Sequence, residues 1–239
     1  VTDRMDDEII GEFLLTARSL AEYRAMFALT EDDLRGRVLD CPGGAAGFTG
    51  EIAELGVSAV AVDPFYALPA KQVCETALAD TDRGNAWSAT HGEMYLWDWY
   101  DGDPEVHRRI RHDAVRRFGA DLEAHPDRYV AAGLPALPFP DNDFDLVLSS
   151  HLLFTYADRL DTDFHLAALA ELARVSRGEV RVYPLLDHSG AALPDLLASL
   201  RAALAQRGIR TELRETVAYE FQSGARDMLV LRSASAEES

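Results

Sequence analysis

The stretch that most limits what this chain can become is Val38-Leu39-Asp40-Cys41-Pro42-Gly43-Gly44-Ala45-Ala46-Gly47-Phe48, followed by a helical pattern and then by Ala59-Val60-Ala61-Val62-Asp63. It reads as a buried strand, a turn of small residues, a helix over roughly 48–55 and a second buried strand ending on an acid. Glycine and alanine let the backbone of the turn approach a ligand that a larger side chain would displace. The helix aims its unpaired N–H groups and the positive end of its dipole at the same space. Asp63 stands at the distance from the turn where a carboxylate accepts both hydroxyls of a ribose. The combination is the front half of a nucleotide-binding βαβ unit and points to an adenosine-containing ligand.

At 239 residues, 48% of them apolar, the chain can bury one substantial α/β core with an inserted cap, and disorder is expected only at its ends. No apolar run approaches the roughly twenty residues that span a bilayer, and the acidic start Val1-Thr2-Asp3-Arg4-Met5-Asp6-Asp7-Glu8 is unlike a signal sequence. These features predict a cytoplasmic protein without a membrane partner. Cys41 and Cys74, the only cysteines, offer neither a disulfide framework nor metal spacing, so no metal site is expected. The formal charge is −18 and Lys71 is the only lysine. Such a surface repels nucleic acid and anionic lipid, and would suit a high-salt cytoplasm. The basic run His107-Arg108-Arg109-Ile110-Arg111-His112, with Arg116 and Arg117, reads as a solvated helix face interleaved with acids.

Apolar residues Ile9, Phe13, Leu14, Leu20, Tyr23 and Phe27 recur near helical spacing, which predicts an N-terminal helical extension over 1–33. Between Asp63 and the next strand, Tyr129-Val130-Ala131, lie more residues than a simple crossover needs. Residues 67–127 are therefore read as a helical insertion or cap. It holds Trp87, Trp97, Trp99, Tyr95 and Tyr100, which could roof a cleft or form the insertion's own core. A Pro-rich loop over 133–144 leads into Asp145-Leu146-Val147-Leu148-Ser149-Ser150, a strand apolar enough for burial on both faces, and His151 leaves its carboxyl end. A helix with Phe164, Ala168, Leu169, Leu172 and Val175 on one face follows, then a strand over 179–185 and a helix marked by Leu193, Leu196, Leu197, Leu200 and Leu204. The last strands, near 213–221 and 227–231, have no helix between them and should pair as an antiparallel hairpin.

This order of elements resembles the class I S-adenosylmethionine-dependent methyltransferases, over about 38–231 with the insertion as an interruption. Residues 137–151, Leu-Pro-Phe-Pro-Asp-Asn-Asp-Phe-Asp-Leu-Val-Leu-Ser-Ser-His, are similar to the small-molecule branch of that family. The resemblance implies one methyltransferase-like domain over 1–239. Its fold would be a three-layer, Rossmann-like α/β sandwich with a mostly parallel seven-stranded sheet and a C-terminal antiparallel hairpin. It further implies S-adenosyl-L-methionine as cofactor and a small-molecule acceptor.

Carried onto these residues, the resemblance sets Asp40 near the methionine amino group and the backbone of Gly43, Gly44 and Ala45 along the methionine portion. Asp63 would hold the ribose, Phe65 would lie against the adenine after Pro64, and Leu134 after Gly133 would cover its other face. Ser149 would approach the methionine end through its backbone. Two departures stand out. Pro42, Gly44 and Ala46 occupy the positions of three alternating glycines, and the third strand ends in Ala132-Gly133-Leu134 without an acid for the adenine amino group. His151 and Tyr183, near the carboxyl ends of strands, are the candidate catalytic bases. An NAD(P)-dependent oxidoreductase shares the βαβ physics, and the departures suit a non-catalytic cofactor-binding module. Oligomeric state is left open by the sequence.

Overall fold

A computed structural model describes residues 13–216 and 219–233. Its strands are β1 (Arg37–Asp40), β2 (Ser58–Val62), β3 (Tyr129–Val130), β4 (Phe144–Ser150), β5 (Ser176–Tyr183), β6 (Ile209–Glu215) and β7 (Asp227–Ser233). They form one sheet in the order β3-β2-β1-β4-β5-β7-β6, and β7 alone runs against its neighbours. The helices are α1 (Leu20–Met26), α2 (Phe48–Glu54), α3 (Ala70–Thr90), α4 (Pro104–Ala124), α5 (Thr162–Val175) and α6 (Pro194–Gln206).

Side-chain alternation along the central strands decides the layers. Leu39 of β1 and Val147 of β4 face one way, into Leu169 and Leu172 of α5 and Leu200 and Leu204 of α6. Val38, Leu146 and Leu148 face the other way, into Tyr23, Met26, Phe48 and Ile52 of α1 and α2. A one-residue slip of β1 or β4 would exchange these faces, so burial on both sides fixes the register. Ala61, Val73, Ala77, Val115 and Phe118 close a third apolar cluster, where α3 and α4 reach the β2 side of the sheet.

The interval between β2 and β3 is filled by α3 and α4, each 21 residues long, joined by short turns that carry Trp97, Trp99 and Tyr100. The basic run lies on α4. Arg108 and His112 both reach Asp82 at 3.0 and 2.8 Å, while Arg111 pairs with buried Glu22 at 3.0 Å. Glu22 also accepts from the Tyr100 hydroxyl and completes a capping box with Ser19, which ties α1 to the insertion.

Two expectations are corrected. Helical periodicity predicted a helix through the N-terminal segment, but within the described residues only 20–26 are α-helical, and 13–19 run as a strap. Residues 1–12 lie outside the description. The strap's backbone is claimed by distant partners. The Leu14 N–H donates to the Tyr156 hydroxyl (2.9 Å) and the Leu15 N–H to Asp80 (2.8 Å).

The sixth strand was expected near 213–221 and instead spans Ile209–Glu215. Its polar alternation belongs to a sheet edge, which the search for apolar runs passed over. The aromatic residues beyond it, Tyr219 and Phe221, leave the sheet. Phe221 sits 5.1 Å from both Trp97 and Tyr100 and stacks on His107 at 4.8 Å, so the hairpin loop becomes part of the insertion's aromatic core.

Candidate functional site

A cleft of about 570 Å³ opens at the carboxyl ends of β1 and β2, where ligands sit in open α/β sheets. Of the residues assigned to cofactor binding, Gly43, Gly44, Asp63, Pro64, Phe65, Gly133 and Leu134 line it. Asp63 is 5% exposed; one carboxylate oxygen accepts from the Gly44 N–H and the other from the Phe65 N–H, each at 3.0 Å. A carboxylate offers about four lone-pair sites, so one remains on each oxygen, enough for two hydroxyl donors. Burial raises the Asp63 carboxyl above its ordinary range, and the two N–H groups offset part of that rise.

Asp40, Ala45 and Ser149 do not line the cleft. The Asp40 carboxylate is buried and takes the Tyr23 hydroxyl at 3.0 Å on both oxygens, and burial pushes it well above the usual carboxylate range. The N–H of Ala45 donates to the Thr16 carbonyl and that of Gly47 to the Arg18 carbonyl, both at 2.9 Å. Gly43 N–H goes to Val62 and Ala46 N–H to Gly43. The amides of residues 43–47 are therefore not free for a ligand: the strap takes those of Ala45 and Gly47, and Val62, Asp63 and Gly43 take the other three. Gly44 is essential to this arrangement: its φ is +52°, and a Cβ there would come within 2.6 Å of the Thr16 carbonyl oxygen. The Pro-rich loop is pinned by α5, whose Glu171 accepts from the Leu137 N–H at 2.6 Å and whose Arg174 donates to the Phe139 carbonyl at 2.9 Å. Gly133 lies against Pro64, so that it and Leu134 share the cleft wall with Phe65.

A second, smaller cavity of about 150 Å³ lies beneath α3. Leu14, Thr16, Arg18, His151 and Tyr156 line both cavities and form the seam between them. His151, a φ +51° residue, donates its N–H to the Tyr183 carbonyl at 2.8 Å, and its Nδ1 lies 2.7 Å from the Ser150 hydroxyl. Burial, with Arg18 and Arg111 nearby, pushes its pKa well below 6.5, so the imidazole is neutral at physiological pH. Tyr183 lines only the second cavity; its hydroxyl donates to the Ala225 carbonyl at 2.9 Å and burial raises its pKa. A phenol so committed anchors the hairpin loop and is a poor base. Trp87 and Tyr95 line the second cavity, whereas Trp97, Trp99 and Tyr100 do not. Arg18 and the strap around it were missed as site residues, since nothing local in Leu14-Leu15-Thr16-Ala17-Arg18 marks a wall of two cavities.

Residues 101–183 match the family model described as methyltransferase domain (Methyltransf_11), a span that runs from the turn before α4 through β5. The uncharacterized protein MJ0045 of Methanocaldococcus jannaschii is 26% identical over 227 residues, 93% of this chain and 97% of its own length. Among solved structures, magnesium protoporphyrin IX methyltransferase from Synechocystis with bound S-adenosylmethionine is 12% identical, with a TM-score of 0.47 over 90% of this chain and 78% of that one. A TehB-like S-adenosylmethionine-dependent methyltransferase from Corynebacterium glutamicum is 17% identical, with a TM-score of 0.46 over 89% and 87%. Superpositions this loose carry no argument. The strand order does: dinucleotide-binding enzymes run 3-2-1-4-5-6, whereas here an antiparallel β7 separates β5 from β6. The methyltransferase-domain match over 101–183 and this sheet order around it support a relationship to the class I S-adenosylmethionine-dependent methyltransferases.

Proposed function

We propose that this protein transfers a methyl group from S-adenosylmethionine to a small-molecule acceptor across the seam at His151. The observation that carries the reading is the meeting of two cavities of unequal size at one neutral histidine. The 570 Å³ cleft falls in the range of sites that hold nucleoside-sized ligands, and Asp63 retains two acceptor positions for a ribose. Phe65 and Leu134 supply apolar walls for an adenine, and the missing acid after β3 leaves its amino group to solvent or backbone. When bound, the cofactor supplies an electrophilic methyl: an acceptor lone pair forms the new bond to carbon as the carbon–sulfur bond breaks and sulfur keeps the electron pair.

The protein's own part is positioning, with the two reactants confined on either side of the seam. His151 is unprotonated and oriented by its contact with the Ser150 hydroxyl, so it can take the proton that a hydroxyl or amine acceptor gives up. Burial that weakens the imidazole as a base also keeps it available as one.

Calorimetric titration with S-adenosylmethionine, S-adenosylhomocysteine and NAD tests the reading. Micromolar binding of the first two and none of NAD is expected. Saturable NAD binding without either adenosyl compound would overturn it.

A further inference from the structure

The second cavity is walled by groups that ask for a ligand of one kind. Seven buried side-chain polar atoms among the described residues have no hydrogen-bond partner in the protein, and six belong to residues lining this chamber: Arg18, Thr81, Arg83, Trp87, Thr155 and His188. Burying an unsatisfied donor is costly, and native structures contain few of them. Six around one cavity is a concentration that packing alone does not produce. Their chemistry is one-sided. Arg18 Nε, Arg83 Nε and the indole N–H of Trp87 can only donate, while the Thr81 and Thr155 hydroxyls and His188 Nδ1 can donate or accept. The Trp87 indole N–H lies near the Tyr95 hydroxyl without a hydrogen bond to it, and His188 Nδ1 is 3.8 Å from Asp158, beyond hydrogen-bond reach. None of the six is an obligate acceptor.

Charge points the same way. Arg83 pairs with Asp80 at 2.8 Å and Arg111 with Glu22 at 3.0 Å, while burial, helped by Arg111 and Arg18, drops the His107 pKa to about 2 and keeps that ring neutral. Arg18, only 7% exposed, has no carboxylate in ion-pair reach among the described residues, and its Nη1 donates to the Thr16 hydroxyl at 2.9 Å. An unpaired buried guanidinium in a chain of net charge −18 is a place held for an anion. Size narrows the class further, because a cavity near 150 Å³ accommodates a single six-membered ring. Its apolar surfaces are Leu14, Trp87, Tyr156 and Phe221.

We infer that this chamber is the methyl-acceptor site and takes a one-ring organic carboxylate, the ring under α3 and the carboxylate toward Arg18. The assignment rests on the methyltransferase reading for the word acceptor, but the ligand class rests on the chamber alone. Gly84 gives a clean way in. It lies mid-helix in α3 on the chamber wall, and a Cβ there meets only Leu14, at 3.7 Å. Leucine at this position improves helix propensity and fills the space.

The test is calorimetry of the full chain, with and without saturating S-adenosylhomocysteine, titrated with benzoate, benzamide and benzylamine. Benzoate is expected to bind about tenfold or more tighter than benzamide, and benzylamine not at all. Gly84→Leu should abolish benzoate binding with the S-adenosylhomocysteine affinity unchanged within about twofold, and Trp87→Phe, which keeps a smaller aromatic ring and loses the N–H, should weaken benzoate about three- to tenfold. Equal binding of benzamide and benzoate by the loaded protein would overturn the anion class, as it would if Arg18 served the cofactor's own carboxylate. Benzoate binding that survives Gly84→Leu, or is absent from wild type, would overturn the chamber. Selective benzoate binding with no affinity for S-adenosylhomocysteine would instead sink the methyltransferase reading and leave the carboxylate site standing.

Discussion

Replacing Asp63 with alanine separates ligand recognition from the folding of the turn. In the protein the carboxylate staples Gly44 and Phe65 through their N–H groups, and its two remaining lone pairs are the proposed ribose contacts. Removing it leaves the buried Gly44 N–H without an acceptor, a cost of about 1–3 kcal/mol; the N–H of half-buried Phe65 can turn to water. A loss near 2 kcal/mol lowers the melting temperature of a domain this size by about 4–8 °C, so Asp63→Ala should remain folded. Binding suffers more. Two hydroxyl hydrogen bonds to a buried charged acceptor contribute about 1.5 kcal/mol each, and losing both weakens S-adenosylhomocysteine by about 150-fold. Calorimetry on wild type and variant, each with S-adenosylhomocysteine and its 2′,3′-dideoxy analogue, closes a double-mutant cycle. The analogue should bind wild type and variant about equally. A loss below about threefold for the parent compound, or an equal loss for both ligands, would refute the ribose assignment and leave Asp63 a staple of the turn.

Gly44→Ala should destabilise by about 2 kcal/mol or more, because alanine is strained at φ +52° and its Cβ drives into the Thr16 carbonyl; hydrogen exchange at the Ala45 and Gly47 amides would rise as the strap loosens. His151→Asn should reduce turnover by about 10²–10⁴ with S-adenosylhomocysteine affinity preserved, and the wild-type rate should hold at acid pH well below 6.5 before protonation silences the imidazole; both are read from product formation across pH. Burial alone would push Glu179 up, but hydrogen bonds from Arg214 and Arg181 override it and hold the carboxyl at about 2. A depressed folded pKa gives stability that is complete above the unfolded value near 4.5 and lost as pH falls toward 2. Urea titrations should show about 2 kcal/mol disappearing over that window, after allowance for solvent screening, and Glu179→Gln should lack this loss.

Much of the architecture was legible because it is written in short-range periodicity. The apolar runs at Val38-Leu39 and Leu146-Val147-Leu148 marked strands buried on both faces, and the cleft opens beside the small-residue turn and Asp63. The same logic failed where a residue's partner lies far along the chain. Leu14 looks helical by spacing, yet its amide and that of Leu15 bond to Tyr156 and Asp80, 142 and 65 positions away. Phe221 looks like the end of a strand and instead completes a core whose other members lie on α4 and the turn before it. Asp40, which the resemblance set near the methionine amino group, takes the Tyr23 hydroxyl from a residue 17 positions away.

The sequence by itself determined the layered sheet, the turn and the acid opposite it, since each depends on neighbours within a few residues. Only the tertiary structure decided that a strap would take the Ala45 and Gly47 amides of the turn, and that Arg18, Trp87, Thr155 and His188, from four separate segments, would surround one small chamber. The physical reason is that a cavity wall has no period: its members are chosen by where folded segments meet, and that meeting is settled by the whole core at once.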